Sequence, residues 1–232
     1  MKKILAGIAI VAACLVPMTS ASASGFSTGS FCTTGLALNF CGSVDVSVVA
    51  AGTGSDVSFK VYNTSGIAGG DAAAVFTAVG LEGISGISSS TQISGLTVQL
   101  NGTGTNYGWE VNVNEEVGGG TAIDLLSSTQ PGSTINWGIS SSCTADNRID
   151  TCGTSYVLIS FHTAPAVTLA SGSEVFIKAQ GLNSSECRFD ANGNSTCPTT
   201  TVPEPASIVL VGTGLMALGR RANRWRRRNQ NV

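Results

Sequence analysis

Four segments of this chain alternate apolar and polar residues with a period of two, and that period constrains the fold more than any other feature. They are residues 56–62, 96–100, 107–113 and 174–180. Successive side chains of an extended strand point to opposite faces. In the first segment, Val57, Phe59 and Val61 therefore share one face, and Ser58, Lys60 and Tyr62 share the other. Residues 44–48 and 156–161 fit the same template. Stretches rich in Gly, Ser, Thr and Asn separate the segments and supply the turn chemistry that hairpins need. A strand with one apolar face needs a second layer to cover it. The expected body is thus all-β, an antiparallel two-sheet sandwich of jelly-roll-like type. Residues 71–79 stay open: Asp71 suits a helix cap, whereas Val75-Phe76-Thr77 prefers a strand.

Composition narrows the alternatives. Charged residues are 11% of the 232, against about 25% in a typical soluble domain. That scarcity excludes a coiled coil or a charged helical bundle, and a mean hydropathy of +0.25 argues against disorder. The few charges are sorted along the chain. All 14 acidic residues fall between Asp45 and Glu204. Basic residues cluster at Lys2 and Lys3 and again from Arg220 to Arg228, and residues 24–201 hold 13 acidic against 4 basic, a net of −9. Such a body repels phosphate, so a nucleic-acid partner is excluded. The ends and the body meet different surroundings.

The N-terminal end reads as an export address. Met1-Lys2-Lys3 is a positive n-region, residues 4–16 are apolar or small, and Ala21-Ser22-Ala23 is a small-residue cleavage pattern. Together they form a secretory signal peptide over residues 1–23, removed after Ala23. Val11-Ala12-Ala13-Cys14 resembles a lipoprotein box, but Cys14 lies inside the apolar run and is discarded with the signal. An extracytoplasmic β domain over residues 24–201 follows.

The C-terminal end has three parts of different chemistry. Val202-Pro203-Glu204-Pro205 breaks regular structure, since neither proline donates a backbone hydrogen bond. Residues 206–219 carry no charge and are mostly apolar. A helix of that length rises about 21 Å, short of a hydrocarbon core of about 30 Å, and spans it if the bilayer thins and the flanking side chains snorkel. Arg220, Arg221 and Arg224, with three further arginines up to Arg228, then favour a cytoplasmic flank. The expected partner of residues 206–219 is the lipid bilayer, crossed by a single transmembrane helix.

This order of motif, apolar helix and arginine cluster over residues 202–228 resembles a PEP-CTERM sorting region. The resemblance implies an exported protein of a Gram-negative cell that makes extracellular polysaccharide. It further implies that an exosortase reads Val202, Pro203, Glu204 and Pro205 and releases the body from an inner-membrane anchor to the cell surface or matrix. The same short motif is also labelled as the C-terminal region of ice-binding proteins, but the body lacks a regular Thr-x-Thr array. Nothing in residues 24–201 contributes to the resemblance.

Once Cys14 is removed, six cysteines remain in three near-neighbour pairs: Cys32–Cys41, Cys143–Cys152 and Cys187–Cys197. Short loops close at the least entropic cost, and export permits oxidation, so these three disulfides are expected. None of the pairs has the spacing of a structural zinc site.

A search for reaction chemistry yields little. His162 is the only imidazole, and no Gly-x-Ser-x-Gly elbow accompanies it. Glu110, Glu115, Glu116 and Asp124 are dense, but adjacent Glu115 and Glu116 on a strand face opposite ways. Asp146, Asn147 and Asp150, and likewise Asp190, Asn192 and Asn194, supply oxygen atoms of the kind calcium takes; turn chemistry explains them equally. Tyr107, Trp109, Trp137 and Tyr156 include candidates for a sugar-stacking platform, although Tyr107 and Trp109 share a face with Val111 and Val113 and so read as core. Asn63, Asn101, Asn183 and Asn194 begin Asn-x-Ser/Thr sequons. The expectation is a non-enzymatic, exported structural or adhesive protein, with no catalytic residue, metal or cofactor. A carbohydrate-binding module acting on exopolysaccharide is the alternative, and a secreted hydrolase comes third.

Overall fold

The computed structural model describes residues 23–104, 107–117, 121–129, 138–143, 148–181 and 183–197. Within them lie β1 (Ala23–Ser27), β2 (Phe31–Cys32), β3 (Cys41–Ala51), β4 (Gly54–Asn63), β5 (Val75–Ser85), β6 (Ile93–Leu100) and β7 (Trp109–Val117). They are followed by β8 (Thr121–Thr129), β9 (Ile139–Ser140), β10 (Ile149–Asp150), β11 (Val157–Thr163), β12 (Thr168–Gln180), β13 (Ser184–Phe189) and β14 (Ser195–Thr196). A four-residue helix, Ser65–Ala68, and a 3₁₀ turn, Ser90–Gln92, are the helical elements among the described residues.

The strands form two sheets. Sheet A runs β1-β3-β4-β11-β6, with β2 also on β3. Sheet B runs β10-β9-β5-β12-β13-β14, with the β7–β8 hairpin joined to β5 through β8. All pairings are antiparallel except β9 with β10. One apolar core draws on both sheets. Val44, Val46, Val57, Phe59, Val61, Val157 and Ile159 enter it from sheet A, and Val79, Leu81, Val175, Ile177 and Phe189 from sheet B. Burial of these aliphatic and aromatic side chains is the main force holding the layers together.

Each period-two segment contains a strand: residues 44–48 grow into β3 and residues 174–180 into β12, whereas β7 starts only at Trp109, with Tyr107 and Gly108 in the preceding turn, and β11 starts at Val157, one residue after Tyr156. The open segment at residues 71–79 resolves as a turn leading into a strand. Asp71 Oδ2 accepts from the Asn39 amide at 2.8 Å, Ala74 N donates to Asp71 O at 2.9 Å, and β5 begins at Val75. The sulfurs of Cys32 and Cys41, Cys143 and Cys152, and Cys187 and Cys197 are bonded, each pair closing a short loop.

Asn63 ties the layers at one end. It is fully buried, its Nδ2 donates to Ala74 O and Ile139 O at 2.8 Å each, and its Oδ1 accepts from Ser65 Oγ at 2.7 Å. That side chain is sealed from any glycosylating enzyme once the domain folds, unlike exposed Asn101, Asn183 and Asn194.

No helix among the described residues is long and apolar enough to cross a membrane. The signal segment up to residue 22 and the sorting region from residue 202 lie outside the described residues, as does Cys14.

Candidate functional site

Val202, Pro203, Glu204 and Pro205, with Arg220, Arg221 and Arg224, fall outside the described residues, so the geometry to be read is that of the body. Its most distinctive surface is the outer face of sheet A. Antiparallel pairing lays cross-strand rows over that face: Ser43 beside Tyr62, then Asp45, Lys60, Leu158 and Gln99, then Ser47, Ser58, Ser160 and Thr97, then Val49, Asp56 and His162. Alternation forces this arrangement, because the intervening Val44, Val46, Val57, Phe59 and Val61 are buried beneath.

At one end of the face the rings of Tyr62 and Tyr156 lie 5.7 Å apart, tilted by 54°. The Lys60 ammonium sits 4.3 Å from the Tyr156 centroid and 5.3 Å from that of Tyr62. Both distances suit a cation–π contact. A hydrogen bond to Tyr62 raises the Lys60 pKa above the usual range, and nearby Asp45 acts in the same direction. All three residues are partly exposed. In the middle of the face, Thr97 and Ser160 share a hydroxyl hydrogen bond of 2.9 Å.

At the other end His162 Nδ1 and Asp56 Oδ1 are 2.9 Å apart, with side-chain exposures of 37% and 66%. A Cβ on Gly54 would overlap the Thr163 carbonyl oxygen and come 2.8 Å from His162 Nε2, so glycine there lets the backbone of β11 approach closely. The ring leans toward β4, and Ser94, opposite His162 on β6, makes no hydrogen bond to it among the described residues. The pair has a carboxylate-oriented imidazole, and among the described residues no hydroxyl or thiol is hydrogen-bonded to its second nitrogen, whereas a triad needs one there.

Of the remaining candidates, Trp109, Asp124 and Asp190 have structural partners. Trp109 is 2% exposed and packs in the core with Tyr107, Val111 and Val113 against it, as its alternation implied. Trp137, Asp146 and Asn147 lie outside the described residues. Asp124 Oδ2 accepts the amides of Gly83 at 2.8 Å and Ile84 at 3.0 Å, pinning the end of β5. Glu115 and Glu116 are exposed on β7. Asp190 Oδ1 accepts from the amides of Asn192 and Asn194 at 2.8 and 2.9 Å, and Oδ2 from Asn194 Nδ2 at 2.8 Å. Those bonds, chiefly that from the Asn194 side chain, hold the carboxyl below its usual pKa. They also turn N–H donors toward the position a cation would take, so turn chemistry explains the loop. Among the described residues no three His, Cys, Asp or Glu side chains cluster as a metal site. A half-open cavity of about 330 Å³ between β1, β12 and the Asp190 loop is walled by Phe26, Leu169 and Ser173, and Ser173 Oγ is engaged with Gly83 O and Ala170 O.

No curated protein and no solved structure matches the chain. A family model described as "PEP-CTERM protein-sorting motif" matches residues 201–228. The chain carries a PEP-CTERM sorting motif. The match covers the Pro203-Glu204-Pro205 break, the apolar stretch and the arginine cluster together, and it stops short of the β body. A PEP-CTERM motif points to an exosortase as the processing partner and to a membrane-held form preceding an extracellular or surface one. In this chain the address and the sandwich are separate pieces of sequence. The outer face of sheet A therefore has to be interpreted on its own chemistry.

Proposed function

We propose that this chain is an exported protein of the cell surface or extracellular matrix, sorted through its PEP-CTERM motif, whose jelly-roll-like body has a structural or adhesive role and no catalytic one. Residues 1–23 direct export and are removed. Residues 206–219 hold the precursor in the inner membrane with Arg220, Arg221 and Arg224 on the cytoplasmic side, as the positive-inside rule requires. The exosortase cuts at or beside Pro203-Glu204-Pro205 and frees the body. The observation that carries this reading is the motif match at residues 201–228. Three disulfides suit an oxidising compartment outside the cytoplasm.

The test is fractionation of the native host expressing either the full chain or a chain lacking residues 202–232. The full chain should pass through a membrane-associated precursor to the surface, while the shortened chain skips the membrane stage and leaves with the soluble export fraction. Identical distribution of the two would refute the sorting role.

A further inference from the structure

We infer that the outer face of sheet A is a binding surface for a neutral polysaccharide, with Tyr62 and Tyr156 as the stacking pair and the Asp45–Lys60 row supplying hydrogen bonds to sugar hydroxyls. None of these residues belongs to the sorting motif at residues 201–228, so a substitution on this face leaves the motif's sequence unchanged.

Four observations lead there. Two aromatic rings stand together on the outer face of sheet A, 5.7 Å between centroids and partly exposed, with the Lys60 ammonium 5.3 and 4.3 Å from their centroids, instead of filling the core as Trp109 does. The axial C–H face of a pyranose is apolar and packs on aromatic rings, while its rim of hydroxyls needs donors and acceptors nearby. Those groups are present beside the rings: Ser43 opposite Tyr62, Asp45 opposite Lys60, and Gln99 in the same row. The next row is Ser47, Ser58, Ser160 and Thr97, all short hydroxyl side chains. Four strands at about 4.8 Å spacing give a platform about 14 Å across, enough for a short run of linked rings.

Charge selects a neutral polymer over an acidic one. Lys60 faces Asp45, and His162 faces Asp56, so each basic group of this face has a carboxylate beside it. The body as a whole carries 13 acidic and 4 basic residues over residues 24–201. A polyanion would approach against that field.

The experiment uses the full chain in detergent micelles and short oligosaccharides of glucose, galactose, mannose and N-acetylglucosamine, with polygalacturonate as the acidic polymer. Calorimetric titration should show at least one neutral oligosaccharide binding with a Kd of about 1 mM or tighter, little changed by 0.5 M salt, roughly the concentration at which surface charge is heavily screened. Tyr62→Ala and Tyr156→Ala should each weaken it about tenfold or more, and Tyr62→Phe should retain it, because stacking needs the ring and not the hydroxyl. On the unsubstituted chain, magnetisation transfer from aromatic protons should reach the sugar C–H groups, a readout independent of any variant's folding. Absence of binding by all four neutral sugars would overturn the assignment. So would undiminished binding by a folded Tyr62→Ala/Tyr156→Ala variant, or salt-sensitive binding of polygalacturonate alone.

Discussion

The two outer faces of the sandwich are built on opposite plans. On sheet B, Phe176 is 1% exposed and forms a small apolar cluster with Ala78, Ile123 and Leu126, separate from the central core. Gly80 makes this possible, since a Cβ there would come within 2.6 Å of Ile123 Cγ2. The Arg188 guanidinium lies 5.8 Å from the Phe176 centroid and its Nε meets Glu82 Oε2 at 2.6 Å. On sheet A the matching positions are Ser47, Ser58, Ser160, Lys60 and Tyr62, all partly open to water. One face is closed by its own side chains and contributes to stability. The other is left partly open to water, with the Lys60 ammonium against its two tyrosine rings.

That contrast fails if substitutions on the two faces cost the same. The largest effect is expected at Phe176→Ala, which empties a fully buried aromatic site and should cost about 3–5 kcal/mol in denaturant unfolding. Next comes Arg188→Ala. It strips the partner from Glu82, whose side chain is only 18% exposed, and should cost about 2–4 kcal/mol in the same assay, toward the lower end for a pair at the edge of burial. Tyr62→Ala, by contrast, should cost no more than about 1 kcal/mol, since its ring is not part of the core. A loss at Tyr62 equal to that at Phe176 would erase the distinction.

The smallest effect belongs to Asp190, outside both faces, and its sign follows from its environment. The Asn194 and Asn192 hydrogen bonds favour the ionised carboxylate in the folded chain and lower its pKa from 3.8. Its contribution is therefore complete above that value and lost as pH falls through the lower, folded one. Thermal melts of Asp190→Ala and the parent should differ slightly at neutral pH and converge in acid below pH 3.8.

The same contrast explains which parts of the fold the sequence displayed. Alternation is clearest where one side of a strand is wet, as in β4 and β11, and there the strands, their inward residues and the solvent side of Lys60 and Tyr62 were all legible; in β12 it is interrupted by Val175, Phe176 and Ile177, all buried. The first seven residues of β5 are buried on both faces, so residues 71–79 offered no period to read. Strand β8 was missed for a related reason: Ile123, Leu125 and Leu126 are all buried, split between the main core and the outer cluster of sheet B. Cysteine spacing revealed the three loops because each closes over nine or ten residues. The aromatic pair was hidden because Tyr62, on β4, and Tyr156, just before β11, are far apart in sequence, and only the pairing of β4 with β11 brings them together. The His162–Asp56 contact spans 106 positions and left no local signal. The address at residues 201–228 was legible because it is a linear motif, read by its order of chemistries and not by folding.

The most direct test of the account is the intact mass of the protein recovered from the surface or medium of its native host. A processed body should end at or beside Pro203-Glu204-Pro205 and lack Arg220 through Arg228. Recovery of a surface form that still carries those arginines and runs to Val232 would contradict it.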